Sequence, residues 1–593
     1  TPLPYPSLPD LPVAECLPRL LDKLGARPNA VLVAPPGAGK TTFIPLALRN
    51  AAPMDQGRIL MLEPRRLAAR AAASRMASLI GEPVGRTVGF RTRLESAVSS
   101  ATRIEVVTTG LLVRRLLSDP GLDDVSTIIL DEIHERSLEA DLALALCLDA
   151  QAMLRPDLRL LAMSATLDGA HLSANMNAPI VESTGRTHPV EICHAARDIS
   201  SARELPEAMM RAIRAALAEA EGDILAFLPG MGEIRRTAAA LEDIDAVVLP
   251  LHGDLPPVSQ DLALRPAEGR RVVLATAIAE TSLTVPGVRI VIDGGFRRAP
   301  RFDPASGMTR LVTERVSRAA AEQRAGRAGR EAPGLAIRLW TSTAQRGLRP
   351  YDRPEILEAE LSGLVLDCAA WGTPPSKLTF PDTPPEGALA AAHKLLMDLG
   401  AVDEAGGITA LGKRMSMLGS HPRLAAMMLA AEDDNEAARA CDIAALLEAR
   451  DPLRGVETPA DIMPRLEAIA DPAAAASLDA DRNALNAIRQ VARQYRARLG
   501  VGAERAASGD PAPLIAAAFP DRLAQRRPEP GSFRFSGGGG AQLAVSDPLA
   551  KARFLAVAAL DMGTSPRIRM AAPLDVARLP ATLLAQIKET VET

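Results

Sequence analysis

Three stretches hold residue types that together could split a nucleoside triphosphate. The first, A-P-P-G-A-G-K-T (34–41), sets glycines ahead of a lysine and a threonine. Backbone N–H groups from Gly37 to Thr41 could wrap a β-phosphate, because glycine leaves room for that approach. Lys40 would reach the β- and γ-phosphates, and the Thr41 hydroxyl would ligate Mg²⁺. Ala34 stands where the common form of this loop has glycine. The second stretch, T-I-I-L-D-E-I-H-E-R-S (127–137), delivers two adjacent carboxylates at the end of an apolar run. Asp131 would hold Mg²⁺, directly or through water, and Glu132 would take a proton from the attacking water or orient it. Hydrolysis alone does not need His134, which is placed to sense a neighbouring domain. The third stretch, Q-R-A-G-R-A-G-R (323–330), spaces Arg324, Arg327 and Arg330 at three residues among small neighbours. That spacing predicts one helix face presenting planar cations.

Such groups must sit on rigid elements. Short apolar runs that read as buried parallel strands occur at 30–35, 58–64, 103–110, 126–132 and 158–166. The series restarts at 223–230, 246–253, 271–280, 288–295 and 335–340. Helical stretches separate them, so two successive α/β domains are expected, joined near 185–205. Both chemical loops then fall at the carboxyl edge of a sheet, where α/β proteins bind ligands. After about 345 the texture turns Ala- and Leu-rich and helical to about 508. Strands at 533–545 and 552–561 around the Gly537–Gly540 turn suggest a small β domain near 511–585.

Composition narrows the classes. The 593 residues allow several domains, and 47% hydrophobic with 24% charged residues is ordinary for a globular protein. A net charge of −4 excludes a globally basic nucleic-acid binder, so any polyanion site must be a local groove. Aromatic residues, at 3%, are too few for a surface built on base stacking. Cys16, Cys147, Cys193, Cys368 and Cys441 are scattered without metal-ligand spacing, which fits a reducing cytoplasm. The first residues lack signal-peptide character, and no apolar run approaches the ~18 residues of a membrane span. The sequence starts without Met, which suggests trimming.

The motifs form a series in order: A-P-P-G-A-G-K-T, E-P-R-R-L-A-A-R (63–70), T-T-G (108–110), D-E-I-H-E-R, M-S-A-T (163–166), T-A-I-A-E-T-S-L-T-V-P-G (276–287) and Q-R-A-G-R-A-G-R. The series resembles that of the DEAH-box RNA helicases of superfamily 2. The stretches 351–372 and 410–429 resemble the bacterial HrpB-type branch, so the likeness runs through nearly the whole chain.

The resemblance implies two tandem RecA-like P-loop domains (1–190 and 191–345) that clamp one ATP with Mg²⁺. A winged-helix domain (346–419), a helical ratchet-like domain (420–510) and a small OB-like β domain (511–593) would follow. It implies catalytic roles for Lys40, Glu132, Gln323, Arg327 and Arg330. Gln323 would help place the lytic water, and the two arginines would act as arginine fingers, worth ~10³–10⁵ in rate elsewhere. Pro36, Gly37, Ala38, Gly39, Lys40, Thr41 and Thr42 would bind phosphates, with Arg75 packing on the base. Thr41, Asp131 and Glu132 would surround the metal. His134 would contact Gln323 across the cleft, and Ser164 and Thr166 would link hydrolysis to unwinding, although S-A-T-L-D also reads as a helix start. Arg65, Arg66, Thr108, Thr109, Gly110, Thr276, Thr281 and Ser282 would grip phosphates and sugars of single-stranded RNA rather than bases. Arg522, Arg526 and Arg527 are further candidates in the last domain. Residues 297–317 resemble the hairpin near the strand-separation point.

Three departures from the family pattern stand out. Ile133 replaces the Ala of D-E-A-H, Ala277 replaces the usual Asn, and Leu264 replaces the aromatic opposite Arg75. The last argues for indifference to the base. HrpB-type proteins also continue well past the equivalent of Thr593, which suggests a truncated chain. The expected function is an ATP-driven 3′→5′ RNA helicase or ribonucleoprotein remodeller, acting as a cytoplasmic monomer. An NTP-switched RNA clamp shares every motif, DNA is an open alternative to RNA, and a P-loop phosphotransferase is the third class considered.

Overall fold

The computed structural model describes residues 11–585 apart from 36, 52–56, 94, 166–168, 184–187, 200, 254, 256, 281–284, 304–307, 454–457, 563–565 and 580. Pro36, Thr166, Thr281 and Ser282 therefore lie outside the described residues. The chain forms two compact units: 1–302, 309–359 and 376–385 make the first, and 303–308, 360–375 and 386–593 the second.

The first unit is built on two mostly parallel sheets. One holds β1 (Asn29–Val33), β2 (Arg58–Glu63), β3 (Val88–Arg91), β4 (Ser96–Ala97), β5 (Ile104–Thr108), β6 (Val125–Leu130), β7 (Arg159–Ser164) and β8 (Ile180–Glu182). Their order is β4-β3-β5-β2-β6-β7-β1-β8. Every residue of β1 is buried, which is why its sequence N-A-V-L-V runs apolar without alternation. The parallel register sets Val33 opposite Ser164 and Leu130 opposite Ala162. The ends of β1, β6 and β7 consequently open on one edge, and that edge carries the phosphate loop, Asp131-Glu132 and Ser164.

The other sheet contains β9 (Val190–His194), β10 (Asp223–Phe227), β11 (Val247–Leu251), β12 (Arg271–Ala275), β13 (Val288–Asp293) and β16 (Gly334–Arg338), in the order β11-β12-β10-β13-β16-β9. Leu225, Phe227, Val273, Val291 and Ala325 form a core on one of its faces, and Ile224, Ala226, Leu274 and Met209 a core on the other. A hairpin, β14 (Phe296–Asp303) with β15 (Met308–Arg315), rises beside it. Arg297, Arg301 and Arg349 converge on Glu314 at that hairpin.

The second unit is helical up to Ala518, with helices that include Ser362–Trp371, Glu386–Asp398, Asp434–Glu448 and Arg482–Leu499. Five strands then close a barrel: β17 (Leu523–Arg526), β18 (Ser532–Phe535), β19 (Gly540–Gln542), β21 (Pro566–Pro573) and β20 (Phe554–Met562). The glycine run makes the β18–β19 turn, where Gly538 and Gly539 take φ of 96° and 74°. Arg423 bonds both carboxylate oxygens of Asp521 and the carbonyl of Ala518, so the helix Pro422–Leu429 is tied to the start of the barrel. Segment 346–359, expected in the winged-helix domain, lies within the first unit.

Candidate nucleotide-hydrolysis site

The phosphate loop turns sharply after β1. Gly37 and Gly39 adopt φ of 85° and 90°, which a side chain would strain, and the helix Lys40–Arg49 starts directly after Gly39. Val13 N–H donates to the Ala38 carbonyl at 3.2 Å, and Leu11 packs on Gly39. The cradle thus has a backing of its own. Thr42 lies in the first helical turn, its N–H 3.2 Å from the Gly39 carbonyl.

The acidic strand end sits against this loop. The Thr41 hydroxyl donates to Asp131 Oδ2 at 2.6 Å, and Lys40 Nζ donates to Glu132 Oε1 at 3.3 Å. Both carboxylates are buried. Burial, and then the neighbouring Glu132, push Asp131 up to about 6. Burial would raise Glu132 too, but Lys40, His134 and Arg327 outweigh it and hold the carboxyl below its usual value. Glu132 is therefore a charged base at neutral pH. Glu132 also takes a left-handed φ of 49°, a conformation that costs most side chains energy and recurs at functional sites.

Glu63 completes the acidic cluster, and sequence reasoning passed over it. It is fully buried at the end of β2, and among the described residues neither carboxylate oxygen has a hydrogen-bond partner. Burial and then Asp131 push its pKa well above the usual range. The available signal was a carboxylate directly ahead of Pro64-Arg65-Arg66 at the end of an apolar run.

Residues of the second sheet close the cleft. The side-chain amide of Gln323 meets His134 Nε2 at 2.8 Å. Burial lowers the His134 pKa against the pull of Glu132, and its Nδ1 accepts the Ala165 N–H at 3.3 Å. Arg327 Nε donates to the Glu280 carbonyl at 2.9 Å. Arg330 Nε lies 4.0 Å from where a Cβ on Gly37 would sit, so this guanidinium faces the phosphate loop. Burial, then the charge of Arg330, lower the pKa of Arg327, and burial lowers that of Arg330 to about 10. Two buried cations this close repel each other, and a polyanion between them would relieve that repulsion, which fits the cradle to a triphosphate.

For a divalent cation, Thr41 and Asp131 are the adjoining oxygen donors, with Glu132 next in line. Among the described residues no group of three or more His, Cys, Asp or Glu is arranged to hold a metal ion.

Three expectations need correction. Arg324 does not share a cleft-facing helix face with Arg327 and Arg330. The helix Arg318–Gly326 ends before both, and Arg324 is buried between Glu280 and Asp293 of its own domain. It acts as a structural ion pair. Arg65 does not present its guanidinium outward to a nucleic acid. Nη1 donates to the Ala277 carbonyl at 2.8 Å and Nη2 pairs with Glu135 at 3.2 Å, so it pins one sheet's loop to the other's. Thr109 is buried and donates to Glu139 at 2.7 Å, which leaves its hydroxyl no free face. The remaining candidates are accessible to different degrees. Arg66 and Arg75 are exposed, and Thr108, Gly110 and Thr276 are half-buried, while Ser164 is buried beside His134. In the barrel, Arg526 and Arg527 are exposed, whereas Arg522 stacks on Phe519. Behind the His134–Gln323 contact lies a cavity of about 330 Å³, lined by Arg65, Ser164, His171, Glu280, Arg298 and Tyr351 among others.

Comparison with known proteins agrees with this geometry. A family described as DEAD/DEAH box helicase matches residues 14–173, the helicase conserved C-terminal domain matches 205–332, and the winged-helix helicase associated domain (HA2) matches 392–419. The chain is 43% identical over 594 residues to ATP-dependent RNA helicase HrpB of Escherichia coli, spanning 98% of this chain and 71% of that protein. It is 36% identical to the pre-mRNA-splicing factor ATP-dependent RNA helicase prp22 of Schizosaccharomyces pombe, over 71% of this chain and 37% of that one. A crystal structure of the Escherichia coli DEAH/RHA helicase HrpB superposes with a TM-score of 0.86 at 42% identity, covering 96% of this chain and 71% of that one. The two sheets are thus tandem RecA-like domains, and the chain belongs to the HrpB-type DEAH-box helicases, enzymes that hydrolyse ATP.

Proposed function

We propose that this chain hydrolyses ATP to move 3′→5′ along single-stranded RNA and so remodels RNA or ribonucleoprotein. The observation that carries this reading is the 2.8 Å contact between His134 and Gln323. It joins the turn bearing Glu132 to the segment bearing Arg327 and Arg330, so the water-activating and charge-stabilising groups come into register only when the two sheets close. Lys40, Arg327 and Arg330 would neutralise charge on the transferred phosphoryl group, and Glu132 would accept the proton of the attacking water. Mg²⁺ held by Thr41 and Asp131, with Glu132 nearby, would draw charge from the phosphate oxygens. Leu264 stands where the family has an aromatic residue opposite Arg75, which supports weak discrimination between bases.

Arg66, Thr108, Gly110 and Thr276 remain the proposed backbone contacts of the nucleic acid, with Thr281 and Ser282 outside the described residues. Arg527, beside a hollow in the barrel with Phe533 and Gln542, suits a single strand. We read the domain divisions at 190/191, 345/346, 419/420 and 510/511, the working unit as a monomer and its place as the cytoplasm. Among the described residues no helix is long and apolar enough to cross a membrane.

The test is steady-state ATPase activity with and without single-stranded RNA or DNA, with Glu132→Gln as the blank. Stimulation by RNA above DNA is expected. Equal stimulation by DNA would move the substrate to DNA or to both, and activity indifferent to either would remove the nucleic-acid reading.

A further inference from the structure

The five residues from Glu132 to Arg136 form one small rigid body. Both ends are left-handed, with φ of 49° at Glu132 and 53° at Arg136, and the short helix between them carries His134. Two backbone bonds close it, Glu135 N–H to the Glu132 carbonyl at 2.9 Å and Arg136 N–H to the Ile133 carbonyl at 3.2 Å. An arginine holds such a backbone only when its surroundings over-determine it. Here they do. Arg136 Nε and Nη2 bond the two oxygens of the fully buried Asp141 at 3.1 and 3.0 Å. The same Nη2 bonds Asp382 at 2.5 Å. The Arg136 carbonyl accepts the Glu355 N–H at 3.0 Å, and the Glu355 carboxylate accepts the Leu138 N–H at 2.8 Å.

The partners on the far side of this knot are telling. The chain leaves the first unit after Ala359, returns for 376–385, and leaves again after Pro385. Glu355 lies just ahead of the first departure, and Asp382 lies within the returned stretch. One arginine therefore ties both to the turn that carries the proposed general base and the proposed coupling histidine. Among the described residues the Arg136 side chain bonds Asp141 and Asp382, not Lys40 or Glu132, so any effect on hydrolysis passes through the turn.

We propose that Arg136 is a positioning residue, a clamp through which strain on segments 354–359 and 376–385 sets the orientation of the Glu132–His134 turn. Tension on either segment moves Arg136, and the closed turn passes the displacement to Glu132 and His134. The inference rests on the reading of the chain as a nucleic-acid-stimulated ATPase and adds a route by which the downstream domains address the hydrolytic site.

The test uses the full chain. Asp382→Asn weakens the clamp without exposing the Arg136–Asp141 pair, so it folds where Arg136→Ala is at risk. ATPase is measured with and without single-stranded RNA, together with amide hydrogen exchange over 132–138. Asp382→Asn should lower the RNA-stimulated kcat about tenfold, as small misplacements of catalytic groups do. It should leave basal kcat and the KM for ATP within about twofold, a split that loss of uniform binding would not give. Amides 132–138 should exchange faster, and Arg136→Ala combined with Asp382→Asn should lower the stimulated rate no further than Arg136→Ala alone. Unchanged stimulation in Asp382→Asn, or losses that multiply in the pair, would overturn the clamp. If the unaltered chain is not stimulated by RNA, the proposed function fails. The exchange measurement then decides the clamp separately: faster exchange at 132–138 sustains it and unchanged exchange refutes it.

Discussion

In the structure, Lys40 and Glu132 are partners at 3.3 Å, each about 5% exposed. Nucleotide must compete with Glu132 for that ammonium group. Glu132→Gln removes the competitor's charge and keeps its shape. At 3.3 Å and an effective dielectric of about 20, the gross attraction is about 5 kcal/mol. Only part of this is recovered on binding, because the freed lysine exchanges one anion for another and close pairs show couplings from about 1.5 kcal/mol upward. A net gain of about 1.5 kcal/mol corresponds to roughly tenfold tighter ATP binding. Turnover should meanwhile fall by ~10²–10⁴, the usual contribution of a general base. Calorimetric titration with ATP gives the affinity, and single-turnover hydrolysis gives the chemical step. An unchanged or weaker Kd would refute the competition argument, and turnover near that of the unaltered chain would refute the assignment of Glu132 as base.

His134→Ala and Gln323→Ala should each lower the RNA-stimulation factor while changing ATP affinity by less than about threefold, and the double variant should be no worse than either, because the singles remove one shared contact. Additive losses would show that the two residues act apart. Arg324→Met leaves Glu280 and Asp293 buried without their cation, so thermal or urea unfolding should show a loss of about 3–5 kcal/mol, and Arg324→Lys should restore little because one ammonium cannot span both carboxylates. Glu105 is buried, which would raise its pKa, but bonds from Arg91 and Arg58 and the charge of Arg115 hold it below the usual carboxylate value. A depressed folded pKa means that its stabilisation is full above the unfolded value of about 4.3 and is lost as pH falls through the lower folded value. Glu105→Gln should therefore lower stability at neutral pH and flatten the acid limb of the stability profile, whereas a parallel profile would count against the linkage.

The central strands were legible because a parallel strand buried on both faces must be apolar throughout, and Ile128–Leu130 or Val272–Ala275 could be little else. The phosphate loop and the Asp131-Glu132 pair were legible because close backbone approach and metal chemistry admit few residue types. The strands β3, β4, β8, β9, β17 and β21 were missed. Two of them are only two or three residues long, and β9 is an edge strand whose Glu191, Ile192 and Cys193 are exposed, so neither length nor alternation marks them. The three arginines of 323–330 looked equivalent in the sequence. Nothing local says that the helix stops at Gly326, or that Asp293 and Glu280 come round to claim Arg324. Arg65 and Thr109 failed for a related reason: their partners Ala277, Glu135 and Glu139 are distant in the chain or on another element. The family likeness supplied the His134–Gln323 pairing, which spacing could not.

Ile59, Met61 and Ile129 belong to a core of the first sheet and Ile224 and Leu225 to cores of the second, while bonds that cross between the sheets are polar: Arg65 to Ala277, His134 to Gln323, and Arg70 to Asp261 at 3.5 Å. An oily seam would resist parting in proportion to its area, whereas such bonds trade readily for water. The two halves are therefore fastened more like a row of press-studs than a weld. Each undoes at small cost, in any order, and refastens at the same place. On the proposed reading, in which the halves part and rejoin at every turnover, such a joint opens lightly and the pace follows how often all the studs are open together, on the microsecond-to-millisecond scale of domain motion.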